Sequence, residues 1–322
     1  FLINNVSRIF EYPGLKTQVF WLKFPYLFLD IAAAFFLAGC FKEQKKKNIA
    51  FKLWIFNPLA LYVTFMLGQN DILPVLFSLL SLYFALRSRN NLSVFFLGVA
   101  ASYKMYALLL LLPAAFALGP KFREKIKYVL IGIVPFAVTI TPFLLSKGYR
   151  RLVLLNPEST KMLFMNWKLS GAEALFPFVI GLTIITLIAY YRNNFKRISF
   201  YFLAILLLFY SVTHFHPQWF LWITPFLIYE EIENGFKHYL IIVLMFLTWF
   251  ILTLLFEPSL SYGMFAPIIP AVRNLPGMSE IIAKYYDVYQ LKSLLRSFFA
   301  GVSVFYLFSV FNNLSRSKKT FS

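Results

Sequence analysis

Residues 49–67 (IAFKLWIFNPLALYVTFML) and 72–86 (ILPVLFSLLSLYFAL) are two apolar runs held apart by Gly68-Gln69-Asn70-Asp71. A helical run of about 20 apolar residues matches the thickness of a bilayer core. Lipid offers the backbone no hydrogen-bond partners, so only helices and closed barrels span it, and neither run has the alternation of a barrel strand. The two runs therefore read as spans joined by a polar break, and the chain as all-α, a polytopic transmembrane helical bundle. The break holds one of only three aspartates in the chain, Asp30, Asp71 and Asp287. A solvated turn, with Asp71 capping the next helix, is the ordinary account of such a stretch. Whether a functional account overtakes it depends on what else shares that side of the membrane.

Composition supports the fold class. The 322 residues are 60% hydrophobic and only 14% charged, against about a quarter charged in a soluble domain. The net charge of +18 is not a nucleic-acid signature, because the cations sit in short clusters between apolar runs. Those clusters, 42–47, 87–89, 121–127, 192–197 and 316–319, follow the positive-inside pattern of cytoplasmic loops. No basic face is paired with a soluble fold, so nucleic acid is not a partner. Cys40 is the single cysteine, which rules out an intramolecular disulfide.

Taken in order, the expected organisation is one integral-membrane domain of about ten spans or half-spans, with no soluble domain. Residues 1–23 read as the tail of an outer loop, residues 24–256 as the transmembrane core, 257–290 as an outer loop and 294–311 as the last span. The core spans are 24–41, 49–67, 72–86, 126–145, 174–191, 198–213, 219–229 and 239–256. Residues 92–118 are too long for one ordinary span and are interrupted by Lys104. A single tilted helix there would throw every later basic loop to the other side. A bent pair with Ser102 to Lys104 near its apex keeps them all inside. Pro135 and Pro142 are expected to kink the span at 126–145.

This topology gathers Gly68 to Asp71, Lys104, Arg150, Arg151 and His214 to Gln218 on the outer face. Asp30 lies about two turns into the first helix from that face. Ionisable residues at membrane depth are expensive and point to function. Cations and amides suit a phosphate, and a carboxylate suits proton transfer from a hydroxyl. Each residue also has a plainer role open to it. Lys104 snorkels from a single long helix, His216 before Pro217 starts a helix, and Arg150 and Arg151 contact headgroups. Asp30 hydrogen-bonds a neighbouring helix in its protonated form. His214 and His216, two apart, face different ways on a helix, and no convincing metal-ligand spacing appears. No cofactor is called for, although a divalent metal stays open, and no phosphate-cradling glycine motif of a soluble nucleotide site is present.

Four segments, in order, resemble glycosyltransferases of the GT-C superfamily that use polyprenol-phosphate sugars. Lys23-Phe24-Pro25 with Asp30 is similar to the lysine–proline–aspartate start of an early helix. Asn57-Pro58 followed by Gly68-Gln69-Asn70-Asp71 resembles the asparagine–proline helix and the glycine–glutamine–x–aspartate loop. Leu97-Gly98-Val99-Ala100-Ala101 through Lys104, then Leu110 to Pro113, is similar to the next segment. His216-Pro217-Gln218-Trp219, with Leu221, Trp222 and Pro225, resembles the late histidine–proline motif. The nearest likeness is to the mannosyltransferase-like group of glycosyltransferase family 87, over about 23–225.

The resemblance implies an enzyme of the cell membrane. It moves a sugar, often mannose, from a polyprenyl-phosphate carrier to a lipid-linked or glycan acceptor outside the cytoplasm, with inversion. It further implies that Lys104, His216 and Arg150 bind the donor phosphate, while Gln69, Gln218 and Asp30 orient the substrates. In that superfamily the main catalytic carboxylate lies in the first outer loop. The corresponding tail, residues 1–23, holds Glu11 as its sole carboxylate, so the base is expected upstream of residue 1, with Asp71 in a supporting role. Two rival classes remain. A lipid-linked glycan polymerase or ligase needs a large outer loop, for which 257–290 serves. A flippase or transporter predicts inverted repeats and charges at mid-bilayer.

Overall fold

The computed structural model describes residues 14–214 and 216–316. Its main helices are α1 (Leu15–Gly39), α2 (Gln44–Ile55), α3 (Ile72–Ala85), α4 (Asn90–Tyr103), α5 (Ala107–Leu118), α6 (Phe122–Ile140), α7 (Pro177–Arg192), α8 (Ile198–Val212), α9 (Phe220–Glu233), α10 (Tyr239–Leu254) and α11 (Val288–Arg316). Among the described residues the only strands are a two-residue antiparallel pair, Trp167–Lys168 with Ala174–Leu175. The all-α membrane fold expected from the sequence is the fold observed.

Among the described residues, five helical stretches are long and apolar enough to cross a membrane: Thr17–Gly39, Gln44–Met66, Phe122–Phe143, Phe195–Val212 and Val288–Asn312. Burial divides the bundle into inside and outside helices. From Phe220 to Ile232, α9 is buried throughout, and α8 is nearly so. By contrast α6 turns Leu130, Val134 and Val138 outward, each more than half exposed. A helix with apolar side chains outside as well as inside is one solvated by lipid.

The pairing of chain ends fixes which loops lie together. Arg87 donates to Gly39 O at 2.9 Å, Asn90 to Leu118 O at 3.5 Å, Asn193 to Gly119 O at 2.5 Å and Lys46 to Glu233 at 3.1 Å. The basic clusters of the described chain therefore gather at one end, the basic end. The bent-pair reading of 92–118 holds, since α4 and α5 separate at an extended Lys104 (φ −147, ψ 124) and return Leu118 to the level of Asn90. Close packing makes the hairpin compact. A Cβ on Gly98 would fall 2.0 Å from Gly132 O and 2.8 Å from Pro135 Cδ, so α4 and α6 touch backbone to backbone. Pro135 is accommodated inside α6, and Pro142 lies in a 3-10 turn, Thr141–Phe143.

The elements depart from expectation most at the two ends of the described chain and after α6. The first helix begins at Leu15, not at residue 24, so the expected loop tail 1–23 is helical over its last part. Phe20, Phe24 and Phe28 pack along one face at i, i+4 spacing, with ring centroids 5.5 and 5.1 Å apart, and no glycine or β-turn pair interrupts them. Glu11 lies outside the described residues. The last helix runs Val288–Arg316, longer at both ends than 294–311, since helices extend past their apolar core wherever the backbone can keep bonding. The segment after α6 folds into short pieces: a helical turn Lys147–Tyr149, a π turn Arg150–Leu154 and a 3-10 helix Pro157–Leu163.

Candidate active site

At the end opposite the basic clusters, the chain between α2 and α3 is shaped by local chemistry. Asn57 caps the turn Pro58–Leu61, its side-chain oxygen accepting from Leu59 N at 2.9 Å and Ala60 N at 3.3 Å. Pro58 occupies the first helical position, where its missing N–H costs nothing. The helix then widens into a π turn, Tyr62–Met66, a form concentrated at functional sites. Gly68 follows at φ +66, a left-handed conformation that glycine takes without a Cβ penalty. That reversal lets Gln69 N reach back to Val63 O at 3.1 Å. Lys23 of α1 donates to Phe65 O and, at 3.4 Å, to Met66 O, so a cation serves the open carbonyls of the helix end.

Asp71 is not the solvated cap that a short loop suggests. It is fully buried, its backbone is helical (φ −61, ψ −21), and its side chain makes no capping bond. Its Oδ1 accepts instead from Lys104 Nζ at 2.8 Å and from Trp222 Nε1 at 2.6 Å. Three separate elements, the start of α3, the α4–α5 apex and α9, thus converge on one oxygen. Oδ2 is buried without a partner among the described residues. The Lys104 side chain is 25% exposed, and an ammonium has three donors, so two remain for a ligand.

An aromatic row leads away from this pair. Tyr106 stacks on Trp222 at 3.9 Å between centroids, Trp222 on Trp219 at 5.2 Å, and Trp219 meets the His216 ring at 4.4 Å. Cations stand at both ends of the tryptophan pair: Lys104 Nζ lies 5.6 Å from the Trp222 ring and Lys161 Nζ 5.5 Å from the Trp219 ring. Both separations are within cation–π range. Lys161 Nζ also lies 3.4 Å from His216 Nε2. The 3-10 turn Pro217–Trp219 that positions the row is anchored from behind, where Trp249 Nε1 donates to Pro217 O at 2.9 Å. Chemically, this is a stack of aromatic rings, buried at Tyr106 and Trp222, that ends in two ammonium groups and an imidazole, suited to a phosphate.

A model of glycosyltransferase family 87 matches residues 19–214, more than half of the chain. The chain belongs to glycosyltransferase family 87. It is a membrane glycosyltransferase of the GT-C type, in the mannosyltransferase-like group. Nothing among curated proteins or solved structures matches it. The family match takes in Asp30, Gln69, Asp71, Lys104 and Arg150 and ends just before His216 and Gln218.

The expected site residues of this family 87 chain fall into two sets. Asp71, Lys104 and His216 are joined through the aromatic row. Gln69 and Gln218 are half-buried and adjoin it in sequence, two residues before Asp71 and one before Trp219. Arg150 donates to Leu144 O at 2.6 Å, closing the end of the segment after α6, and no contact ties it to Lys104 or His216. Asp30, 3% exposed, accepts from Trp54 Nε1 at 2.9 Å, which is the neighbouring-helix bond open to it from the sequence. Among the described residues no three His, Cys, Asp or Glu side chains lie close enough to share a metal ion. Sequence reading missed Lys161 and Tyr106. The signal for Lys161 was its isolation, since it is the only cation between Arg151 and Lys168. Tyr106 carried no signal beyond its closeness to Lys104.

Proposed function

We propose that this glycosyltransferase takes a hexose, mannose first among candidates, from a polyprenyl-phosphate carrier and transfers it to a lipid-linked or glycan acceptor. The reaction takes place at the face opposite the basic end, which the positive-inside rule sets outside the cytoplasm of the cell membrane. The observation that carries this reading is the Asp71–Lys104 pair, joined by Trp222 and Trp219 to His216 and Lys161. An ammonium that keeps two donors for a ligand, with a second cation at the far end of an aromatic wall, supplies what a sugar phosphate needs. The charges suit the leaving phosphate of a sugar donor, and the stacked rings hold them in place.

In the proposed step the acceptor hydroxyl oxygen bonds to the anomeric carbon. The bond from that carbon to the carrier phosphate oxygen breaks, and polyprenyl phosphate leaves with both electrons. Lys104, Lys161 and His216 stabilise the charge that grows on that oxygen, the kind of contribution that usually dominates such catalysis. Asp71 holds Lys104 and Trp222 in place and is a positioning residue. Gln69 and Gln218 orient sugar or acceptor. Arg150 and Asp30 hold the surrounding helices. The hydroxyl proton goes to a carboxylate acting as general base.

The donor assignment is tested by incubating the complete purified protein with polyprenyl-phosphate mannose labelled in the sugar, with nucleotide-linked mannose in parallel. Label moving to a new product with equimolar release of polyprenyl phosphate supports the reading. Transfer from the nucleotide sugar alone refutes it.

A further inference from the structure

Arg296 lies about 12 Å into α11, at 1.5 Å per residue. It falls within Val288–Asn312, a stretch apolar and long enough to cross a membrane. A cation at that depth is normally paired. Its guanidinium donates to Thr213 O, the carbonyl that follows α8. Among the described residues no carboxylate lies within ion-pair distance of it. A guanidinium has five N–H donors, and one carbonyl leaves most of them unused.

Those donors border a cavity of about 460 Å³ between α8 and α11. Ser293, Arg296 and Ser297, spaced i, i+3 and i+4, share the face of α11 that lines it. Ser211 and His214 line the other side. Ser211 Oγ is buried with no partner among the described residues. Phe164 and Met165 supply an apolar edge. The His214 ring lies 4.9 Å from that of His216, so the cavity adjoins the aromatic row without sharing Lys104. A cation lacking a countercharge, beside hydroxyls and an imidazole, calls for an anion with several acceptor oxygens. In a membrane, the anions at hand are lipid phosphates.

We propose that this cavity binds the phosphate ester of a membrane lipid, through Arg296 with Ser211, while Ser293 and Ser297, whose hydroxyls donate to Tyr289 O and Ser293 O, line it without donating. The ligand is the carrier lipid or a second, phosphate-bearing lipid such as the acceptor. The inference rests on the lipid-phosphate reading above for its ligand class. Its test measures binding and not transfer, so either can fail alone.

The test is lipid retention by the complete protein in detergent, followed by native mass spectrometry with three probes: polyprenyl monophosphate, phosphatidylglycerol and inorganic phosphate. Diacylglycerol is the uncharged control. Arg296→Gln keeps a donor for the Thr213 carbonyl and removes the charge. Ser297→Leu fills the cavity from an exposed helix position and leaves the charge. Affinity for at least one lipid phosphate is expected to fall about tenfold to a hundredfold in Arg296→Gln, as for loss of a charged hydrogen bond. It falls in Ser297→Leu as well, while diacylglycerol retention is unchanged. The lipid that responds identifies the source of the phosphate. Folded variants that retain both lipids like the parent overturn the proposal, as does a dependence on Arg296 seen with inorganic phosphate alone.

Discussion

The two ends of the bundle both bury charge, and they use it differently. At the basic end, charged and polar side chains answer helix termini and one another's helices. Arg87 donates to Gly39 O, Lys125 to Tyr190 O at 3.4 Å and Asn193 to Gly119 O. Glu231, 3% exposed, accepts from His238 N and from Tyr306 OH, both at 3.2 Å, and so ties α9 to α10 and α11. At the Asp71 end, Lys23 and Arg150 do the same work on carbonyls, but Lys104, Asp71, Trp222, Lys161 and His216 answer side chains. A charge that closes a helix end is explained by the fold. A buried carboxylate on which three elements converge to hold one ammonium, itself three-quarters buried, is not, because burying such a pair is seldom the stabilising choice.

This contrast can be broken by mutation. Lys104→Met strands a buried carboxylate, and we expect a loss of about 3–5 kcal/mol in stability together with loss of transfer, read by thermal melts and product formation. Glu231→Ala removes two buried acceptor bonds at the other end and lowers stability by about 2–4 kcal/mol. The folded fraction should keep its kcat/KM, and a fall in kcat/KM would erase the distinction between the ends. Trp222→Phe preserves the ring stack and deletes the N–H bond to Asp71, costing about 1–2 kcal/mol, with transfer reduced about tenfold. Lys161→Met should leave the melting temperature where it is and raise the KM for the donor about tenfold, the size of one charged contact to phosphate. A stability change with unaltered KM would move Lys161 into the structural set.

Much of this was legible in the sequence because membrane physics leaves few options. Apolar run length gave the helices, and the clustering of cations placed the loops, including the reversal at Lys104 that periodicity alone would have read as one long helix. The same bookkeeping put Asp71, Lys104 and His216 on one face. What stayed hidden depends on side-chain direction at angles that spacing does not determine. Trp54 takes Asp30 because of how α1 crosses α2. Arg150 turns back on Leu144 because a π turn reorients it. Lys161 reaches His216 from a 3-10 segment with no periodic signature. Residues 15–23 looked loop-like because they mix polar and apolar types, yet phenylalanines four apart complete a helical face.

The central claim is that Asp71 serves the site and not the turn. Asp71→Asn in the complete protein is nearly isosteric and keeps an oxygen for Trp222 while discharging the pair with Lys104. We expect a folded protein whose transfer from polyprenyl-phosphate mannose falls by about a hundredfold or more, the scale on which electrostatic stabilisation is lost. Turnover equal to that of the parent enzyme would return Asp71 to the loop as a structural residue and contradict the account.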